Sequence, residues 1–410
     1  MRFDDIIIGG GLSGLLCGIS LAETGRKCLI VSQGQSTLNF SSGALEFLAC
    51  EEGVSYEQAL KSLPGSHPYS KIGAEHLFVL RAEAAGLFER AGIPMRSDIR
   101  CNHWRITPLG VLKPVWMSLS EMTFFSKKDL PEKILVAGIK GFLDFNASFV
   151  ASGLSEAGVD AKVCEVSVRE LDELRDNASE FRSANLARAL DGYAIDRLAE
   201  AINAESPEVD YILLPAVFGL ENGKSVERML SKLDKPAALI PTMAPSVPGI
   251  RLQKLLKKRF VALGGTFISG DNVISAEVNG GRIDSIRTER HGDTRFLAEN
   301  VIFATGSFFS NGLKATPEEI FEPILHLDVD YSGSHGDWFN EDVYAVQPYL
   351  SFGVKTDDSL RVSLGGKTLE NAWAVGQLLS GSLPLKSGCL GGVSVLSALY
   401  VAGQIKLAAQ

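Results

Sequence analysis

The stretch that decides the fold is FDDIIIGGGLSGLLCGISLAETGRKCLIVSQ, from Phe3 to Gln33. It opens with a short apolar run of strand type, continues through consecutive glycines, and then has the composition of a helix over residues 12–24. After Gly25, a residue suited to a helix end, a second apolar run predicts another buried strand. This order of strand, glycine turn, helix and strand predicts a βαβ unit at the start of an α/β domain.

The glycines within this unit are spaced as G-x-G-x-x-G, at Gly9, Gly11 and Gly14. In such a turn the first glycine permits the tight bend, the second lets the backbone approach a phosphate, and the third lets the helix pack on the strand. The N–H groups at the helix N-terminus then face the anion. A glycine-rich turn in an ordinary α/β protein is the alternative, and the two flanking strands favour nucleotide binding.

One part of the dinucleotide fingerprint is missing. An acidic residue is expected about twenty residues later, at the end of the second strand, where it holds a ribose. Ser32, Gln33 and Gly34 occupy that place. A serine or an amide can still bind an adenosine ribose, and Ser32 is the predicted contact.

Composition excludes several classes of function. The 410-residue chain has a net charge of −9 and no long basic run, which argues against nucleic acid as a partner. Its six cysteines are scattered without a C-x-x-C pair, so no metal site is predicted. The apolar tail, Gly391–Gln410, contains Gln404 and Lys406 and is interpreted as a buried last helix. We therefore expect a cytoplasmic chain without a transmembrane segment of its own.

Downstream segments predict a second α/β unit and a return to the first. Residues 131–241 alternate strands with helices, among them a long helix predicted for Glu180–Ala204. Residues 273–298 predict a three-stranded meander, followed by a separate buried strand at Val301–Ala304. In the N-terminal third, Ser41, Ser42 and Gly43 precede a predicted helix from Ala44, where they either bind an anion or cap that helix.

Three features occur in a fixed order: the N-terminal fingerprint, the ATG sequence at 304–306, and AVGQ at 374–377 followed by a glycine-rich helix start. This order resembles the two-dinucleotide-binding-domain flavoproteins. The resemblance implies a discontinuous Rossmann-like flavin domain (1–50, 242–315 and 360–410), an inserted α/β domain (51–241), and a loop-rich segment (316–359) capping the flavin site.

In that family the C-terminal strand ends in Gly-Asp, and here Gln377 replaces the acid after Gly376. The helix start at 388–392 corresponds to the turn whose N–H groups face the flavin pyrimidine, where the helix dipole stabilises negative charge on the reduced ring. The residues predicted to bind the cofactor are Gly9, Gly11, Gly14, Ser32, Ser41, Ser42, Gly43, Thr305, Gly306, Gly376, Gln377, Gly388, Gly391 and Gly392.

A narrower resemblance rests on collinear motifs along the whole chain: FSSGALEFL, HPYSKIG, RITPLG, FRSANLARALD, GIRLQ, ATGSFFSNGL, EPILHLDV and the GCLGGV tail. Together with the N-terminal stretch they resemble the B subunits of anaerobic glycerol-3-phosphate dehydrogenases. The resemblance implies an FMN-bearing subunit, with FAD as the alternative. It also implies a catalytic FAD subunit and an iron–sulfur membrane-anchoring subunit as partners.

The family's reaction is oxidation of sn-glycerol 3-phosphate to dihydroxyacetone phosphate at the inner membrane. The resemblance implies that the electrons pass to the quinone pool during anaerobic growth. Absence of the second-strand acid fits FMN, which has no adenosine ribose.

The catalytic residues are not singled out by any motif. Arg105 and Arg251 are candidate cations for the substrate phosphate, and His103, His326 and His335 are candidate bases. For each of them a structural role is the more common outcome. Two alternatives stay open: a free-standing flavin or nicotinamide oxidoreductase acting on a small substrate, and a scaffold subunit whose flavin site has degenerated.

Overall fold

The computed structural model describes residues 1–50, 54–98, 101–125, 129–177, 179–190, 192–206 and 208–409. Its α-helices are α1 Leu12–Ala22, α2 Tyr56–Lys61, α3 Pro68–Ile72, α4 Ala74–Arg90, α5 Ala147–Glu156, α6 Asp172–Arg175, α7 Ser183–Ala189, α8 Tyr193–Ala204, α9 Lys224–Ser231, α10 Val247–Ala262, α11 Pro384–Ser387 and α12 Leu390–Ala408.

Most of the long strands belong to two sheets, and the remaining strands form short pairs and a three-stranded patch. The strands are β1 Arg2–Ile8, β2 Cys28–Ser32, β3 Ala44–Leu45, β4 Met95–Ser97, β5 His103–Ile106, β6 Leu112–Val115, β7 Met117–Leu119, β8 Lys133–Ile139, β9 Asp160–Val166, β10 Tyr211–Pro215, β11 Ala237–Ile240, β12 Thr266–Ser269, β13 Val273–Asn279, β14 Arg282–Thr288, β15 Phe296–Phe303, β16 Lys314–Ala315, β17 Ile320–Phe321, β18 Val329–Asp330, β19 Gly353–Val354, β20 Arg361–Leu364 and β21 Lys367–Ala374.

The main sheet is built around β1. Strands β12, β2, β1 and β15 are parallel neighbours in that order, and β21 adds a further parallel strand beside the second half of β15. Because β1 has a strand on both edges and helices over it, Ile6, Ile7 and Ile8 are buried. The parallel strands bring their carboxyl ends to one edge, which is where ligands bind in such sheets.

The meander differs from the prediction at its third strand. The sequence predicts two strands, Thr294–Ala298 and Val301–Ala304, whereas β15 runs without interruption from Phe296 to Phe303. The polar residues between them remain in the ladder because Asn300 pairs with Asp5 of β1, and its amide donates to the Asp5 carboxylate at 2.9 Å. The polar residues that interrupt the apolar pattern therefore include one that forms a partly buried hydrogen bond between the strands.

Helices α10 and α12 each pack on α1, which lies against β1 and β2. A Cβ on Gly18 of α1 would lie 2.9 Å from Ile30 and 3.0 Å from Phe260, so this glycine lets α1 approach β2 and α10 closely. Helix α12 is, among the described helices, the one that is long and apolar enough to cross a membrane. Its most apolar window is 72% buried inside the fold, as the core position beside α1 requires.

The second sheet has the parallel order β11-β10-β8-β9. The single helix predicted for Glu180–Ala204 is replaced by α7 and α8. Leu190 leaves the helical region and Gly192 takes φ = 58°, while Asp191 lies outside the described residues. The predicted domain edges at residues 51 and 410 also lie outside them, and the proposed domain division stays a prediction.

The helix predicted from Ala44 is also corrected. Ala44 and Leu45 form β3, which pairs with Ser118 and Met117 of β7. Gly43 has φ = 78°, so the chain turns directly into the strand. The conformation of this short apolar segment is set by its long-range pairing with β7. A strand of two residues is too short to show a hydrophobic period in the sequence.

Candidate functional site

A cavity of about 1140 Å³ lies at the carboxyl ends of β2, β1 and β15. Its walls come from segments far apart in the chain, among them the glycine turn 8–13, residues 31–46, Arg105, residues 271–274 and 304–311, Lys314, and the start of α12. The volume slightly exceeds the usual range of about 300–1,000 Å³ for small-molecule sites, and the position matches the ligand crevice of an α/β sheet.

The three glycines of the turn have different structural roles. Gly9 takes φ = 120°, and a Cβ there would overlap the carbonyl oxygen of Ala304. A Cβ on Gly14 would overlap the carbonyl oxygen of Gly9. At Gly11 no described atom lies within 4 Å of an added Cβ, so this backbone faces open space in the cavity. Gly11 is also the N-cap of α1 and makes no side-chain cap, which leaves the helix N-terminus open to an anion.

The Thr305–Gly306 turn faces the glycine turn across the sheet edge. Gly306 takes φ = 79°, and a Cβ there would overlap Ser310. The buried Thr305 Oγ1 lines the cavity and has no hydrogen-bond partner among the described residues. A buried hydroxyl left without a partner next to a cavity is suited to a bound polar ligand.

One end of the cavity lies between β2 and β12. Residues Ser32 to Gln35 line it from one side and Asp271 to Ile274 from the other, and the Ser32 hydroxyl donates to the Gly34 carbonyl at 3.2 Å. Asp271 is an acid beside the missing fingerprint position, since its N–H group donates to the Ser32 carbonyl.

The Asp271 carboxylate is already engaged by its own turn. It accepts from the N–H groups of Asn272 and Arg290 at 2.8 and 3.0 Å and pairs with His291 Nδ1 at 2.6 Å. Burial acts to raise the pKa of Asp271, but a hydrogen bond from the Thr288 hydroxyl, together with those from Arg290, Asn272 and His291, outweighs it and holds the pKa below its ordinary value. Asp271 therefore shapes this end of the cavity through its backbone turn.

The other end lies under the N-terminus of α12. Gly391 lines it, and the N–H group of Gly392 donates to the Glu46 carbonyl at 2.7 Å. Gln377 lines it too, and its Nε2 donates to the Leu390 carbonyl at 3.1 Å. The amide Oε1 of Gln377 can then accept a hydrogen bond from a ligand hydroxyl, a contact that the family's aspartate would also make.

A buried cation closes this end. Arg105 on β5 lines the cavity, and only 8% of its side chain is exposed. Its NH2 lies 3.9 Å from Glu46 Oε1, which accepts at 2.9 Å from Lys113 Nζ, and its Nε has no partner among the described residues. Burial lowers the pKa of Arg105, against the opposing effect of Glu46. Glu46 is thus shared by two cations, and the cluster of Arg105, Lys113 and Glu46 carries one net positive charge.

The structure brings most of the predicted cofactor residues to the cavity wall and leaves the others behind it. Those on the wall are Gly9, Gly11, Ser32, Ser41, Ser42, Thr305, Gly306, Gln377 and Gly391. Those behind it are Gly14, Gly43, Gly376, Gly388 and Gly392. The second group are sites of close packing, because a Cβ on Gly376 would overlap Ser13 and one on Gly392 would overlap the Tyr69 hydroxyl.

The other catalytic candidates lie away from the cavity. Arg251 is buried in an ion pair with Glu121 and donates to the carbonyls of Phe218 and Gly219. His103 is buried against Phe124, and burial lowers its pKa to about 4. His326 and His335 are exposed and do not line the cavity. Of the predicted cations, Arg105 alone is a cavity residue.

Several wall residues were missed by the sequence analysis. Glu46 and Lys314 line the cavity, and so do Pro323 and Ile324 from the capping segment. The turn that carries Pro323 and Ile324 is held by the buried Glu322 carboxylate, which accepts from the N–H groups of Ile324 and Leu325. A charge inside the apolar run ALEFL was a usable clue to Glu46. Lys314 belongs to no pattern.

The residues present fit a flavin nucleotide. The open Gly11 backbone offers a cradle for phosphate, Thr305 offers an unpartnered hydroxyl, and Gln377 and α12 face the far end. The cavity continues on both sides of the phosphate cradle, towards β2–β12 and towards α12. This is the shape that a dinucleotide needs, with its two halves on opposite sides of a pyrophosphate.

Comparison with known proteins agrees with the fold. Residues 4–393 match the FAD binding domain family. The anaerobic glycerol-3-phosphate dehydrogenase B subunit of Yersinia enterocolitica is 44% identical, over 99% of this chain and 98% of its own length. The protein of the same name from Pectobacterium atrosepticum is 40% identical over 99% of each chain.

Among solved structures, 3-ketosteroid Δ1-dehydrogenase of Sterolibacterium denitrificans covers 99% of this chain and 100% of its own at 11% identity, with a TM-score of 0.45. The assignment does not depend on that likeness. It depends on the full-length identity to the curated relatives and on the matched flavin-binding domain. The chain therefore belongs to the family of anaerobic glycerol-3-phosphate dehydrogenase B subunits.

Proposed function

We propose that this chain is the flavin-bearing subunit of an anaerobic sn-glycerol-3-phosphate dehydrogenase. In this role it helps oxidise glycerol 3-phosphate to dihydroxyacetone phosphate and passes the electrons towards quinone. The observation that carries the proposal is the cavity itself, which joins a nucleotide-binding glycine turn to the buried, incompletely paired Arg105. The names of the full-length relatives supply the substrate.

FAD is the cofactor that we propose. The FMN that the resemblance implies, and that the missing second-strand acid fits, has no specific support, since the matching family model is that of an FAD binding domain. The cavity also extends between β2 and β12, a region that FMN would leave empty. There the amides of Gln33, Gln35 and Asn272 line the wall and can bind a ribose in place of the acid.

The chain's own residues have separate tasks in the proposed reaction. A bound flavin supplies the acceptor for the hydride that leaves the carbon bearing the substrate hydroxyl. Arg105 binds the phosphate through the guanidinium nitrogens that Glu46 leaves available, and Lys113 keeps Glu46 in position. Glu46 is the carboxylate at this end of the cavity, and we assign it to accept the hydroxyl proton.

The complex that we propose contains a catalytic FAD subunit and an iron–sulfur subunit that anchors it at the inner membrane. The B-subunit names of the relatives support membership of an assembly. Intact close packing at Gly9, Gly14 and Gly376 favours a working flavin site over a degenerate scaffold. Co-purification with partner subunits separates the complex from a free-standing oxidoreductase.

The first test is chromatography of the chromophore released by acid from the purified chain, against FAD and FMN standards. FAD is the expected result, and FMN alone would overturn the choice of cofactor. If neither the purified chain nor its complex contained flavin, the chain would instead be a scaffold subunit.

The second test is anaerobic bleaching, by glycerol 3-phosphate, of the flavin bound to the purified chain in the absence of the other subunits. Arg105→Met should raise the concentration for half-maximal bleaching about tenfold to a hundredfold, since a hydrogen bond to a charged group contributes about 1.5–3 kcal/mol. Reduction by dithionite should not change. The control is Arg2→Met, whose side chain is 76% exposed. If bleaching of the Arg105→Met protein depended on glycerol 3-phosphate concentration as it does in the unaltered chain, Arg105 would not be part of the substrate site.

A further inference from the structure

The loop of residues 332–351, which we call the acidic loop, presents a concentrated apolar surface. Tyr344 is 96% exposed and Val343 is 77% exposed. Isolated exposed apolar residues are ordinary, but several within one short loop indicate a contact surface. The exposed large apolar residues of this loop are Phe339, Val343, Tyr344, Val346 and Tyr349.

The acidic loop is held in shape from within. Trp338 is buried with Ile320 and Phe352 in a small cluster separate from the main core, and its Nε1 donates to the Ser332 carbonyl at 2.6 Å. The Gln347 amide donates to the carbonyls of Asp342 at 2.9 Å and Ala345 at 3.3 Å, and accepts from the Asn340 N–H group at 2.8 Å. A loop ordered by its own hydrogen bonds can present aromatic side chains at little further entropic cost on binding.

The charge of this region has one sign. Between Lys314 and Lys355 the chain contains no lysine or arginine. Besides the buried Glu322, it contains the acids Glu318, Glu319, Asp328, Asp330, Asp337, Glu341 and Asp342. Such a surface repels anionic lipid and nucleic acid, and it attracts a protein surface rich in lysine and arginine.

The acidic loop adjoins the flavin cavity. The ring of Tyr349 contacts the ring of Phe308 edge to face, with 6.3 Å between centroids. The next residue, Phe309, lines the cavity and packs edge to face on Phe40 at 5.6 Å, and both of these rings are exposed. Apolar surface therefore continues from the acidic loop to the cavity mouth.

We propose that the acidic loop is the docking site for a partner protein whose contact surface is an apolar depression bordered by lysine and arginine. The identity of that partner as another subunit of the dehydrogenase rests on the proposed function. Tyr344 and Val343 enter the depression, and Glu341 and Asp342 meet its basic border. A partner docked in this way lies beside the cavity mouth, where electrons leaving a bound flavin can reach it.

The experiment co-expresses the full chain with the remaining subunits of the dehydrogenase and measures assembly by affinity capture and size-exclusion chromatography. Val343→Ser combined with Tyr344→Ser should weaken assembly at least tenfold, equivalent to about 1.4 kcal/mol. Glu341→Lys should weaken it as well and should reduce its dependence on salt. Flavin content of both variants should equal that of the unaltered chain. The matched control is Tyr193→Ser, since Tyr193 is 78% exposed on α8.

Three outcomes of this experiment would overturn the docking proposal. Undiminished assembly of both loop variants would overturn the docking site and leave the proposed function standing. If the unaltered chain binds its flavin but assembles with none of the subunits, complex membership fails and the docking proposal fails with it. Self-association, or binding to phosphatidylserine–phosphatidylcholine vesicles, that the loop substitutions abolish would also overturn the proposal, because the occupant would then be a second copy or a membrane.

Discussion

At the scale of single residues, neighbouring glycines of one motif have different tasks. Gly11 faces open space in the cavity, whereas Gly14 is in contact with the backbone of Gly9. A substitution at the first site changes what the cavity can hold, and a substitution at the second changes how α1 packs on β1. The two effects are separable by experiment.

Gly11→Asp should lower flavin affinity about tenfold to a hundredfold while the free energy of unfolding of the flavin-free protein stays the same. The added carboxylate would lie at the N-terminus of α1, where it repels a phosphate. Gly65→Asp is the control, since it adds the same charge at an exposed glycine with no described atom near its Cβ. Gly14→Ala should lower both flavin content and stability. Full flavin retention by Gly11→Asp would place the phosphate elsewhere.

His67 predicts a dependence of stability on pH. It is buried beside Cys389 at 3.7 Å, its Nδ1 accepts from the Tyr69 N–H group, and burial lowers its pKa to about 4. Between an ordinary pKa of about 6.5 and this value, the unfolded chain binds a proton that the folded chain does not. This contribution to stability is therefore complete above pH 6.5 and is lost as the pH falls towards 4, by up to about 3 kcal/mol.

Urea unfolding of His67→Asn at a series of pH values tests this. Asparagine also caps a helix, so the Tyr69 N–H group keeps an acceptor, but it does not titrate. The variant should lose less stability than the unaltered chain between pH 7 and pH 4. Parallel curves for the two proteins would show that His67 does not titrate in this way.

At the scale of elements, α10 joins the two sheets. It packs on α1 over the main sheet, and its Arg251 pairs with Glu121 and with two carbonyl groups that follow β10. Because both charges are buried, removing either partner would leave the other buried and unpaired, which lowers the free energy of unfolding strongly. Arg251 is thus a structural cation between the sheets.

Arg251→Met should lower the free energy of unfolding by about 3–5 kcal/mol, because it leaves Glu121 buried without its partner. The double substitution Arg251→Met with Glu121→Leu should recover roughly half of this loss. Recovery should be incomplete, since the carbonyls of Phe218 and Gly219 remain without their donor. If the Arg251→Met protein had unchanged stability but weaker substrate binding, Arg251 would be a substrate-binding residue and not a structural cation.

At the scale of the whole molecule, the cavity connects segments between residue 8 and residue 394. A ligand that fills it should therefore stabilise the chain as a whole. FAD at a hundred times its Kd should add about 2.7 kcal/mol to the free energy of unfolding of the flavin-stripped protein, read as a rise in Tm. FMN at the same concentration should add less, since it leaves the region between β2 and β12 unfilled. Equal shifts for the two flavins would favour FMN.

The family and the fold class were both predictable from the sequence, and both are confirmed. The reason is that their signals are local: a βαβ unit with spaced glycines, and short motifs in a fixed order. Gly9 and Gly14 each lie against backbone a few residues away or on the adjacent strand, and Gly11 begins the helix, so the spacing along the chain is enough to predict the turn. The FMN preference came from the resemblance and was consistent with the missing acid, but a single absent side chain does not define the shape of a cavity.

Only the tertiary structure decided which polar residues share the cavity. The sequence does not distinguish Arg105 from Arg251 as candidate cations. Long-range packing places Arg105 on the cavity wall and Arg251 in an ion pair between the sheets. Glu46, Asp271 and Lys314 come from three separate segments, and their roles depend on which neighbours the fold provides. Spacing along the chain fixes backbone geometry over a few residues, whereas electrostatic surroundings depend on contacts across hundreds of residues, which the sequence does not display.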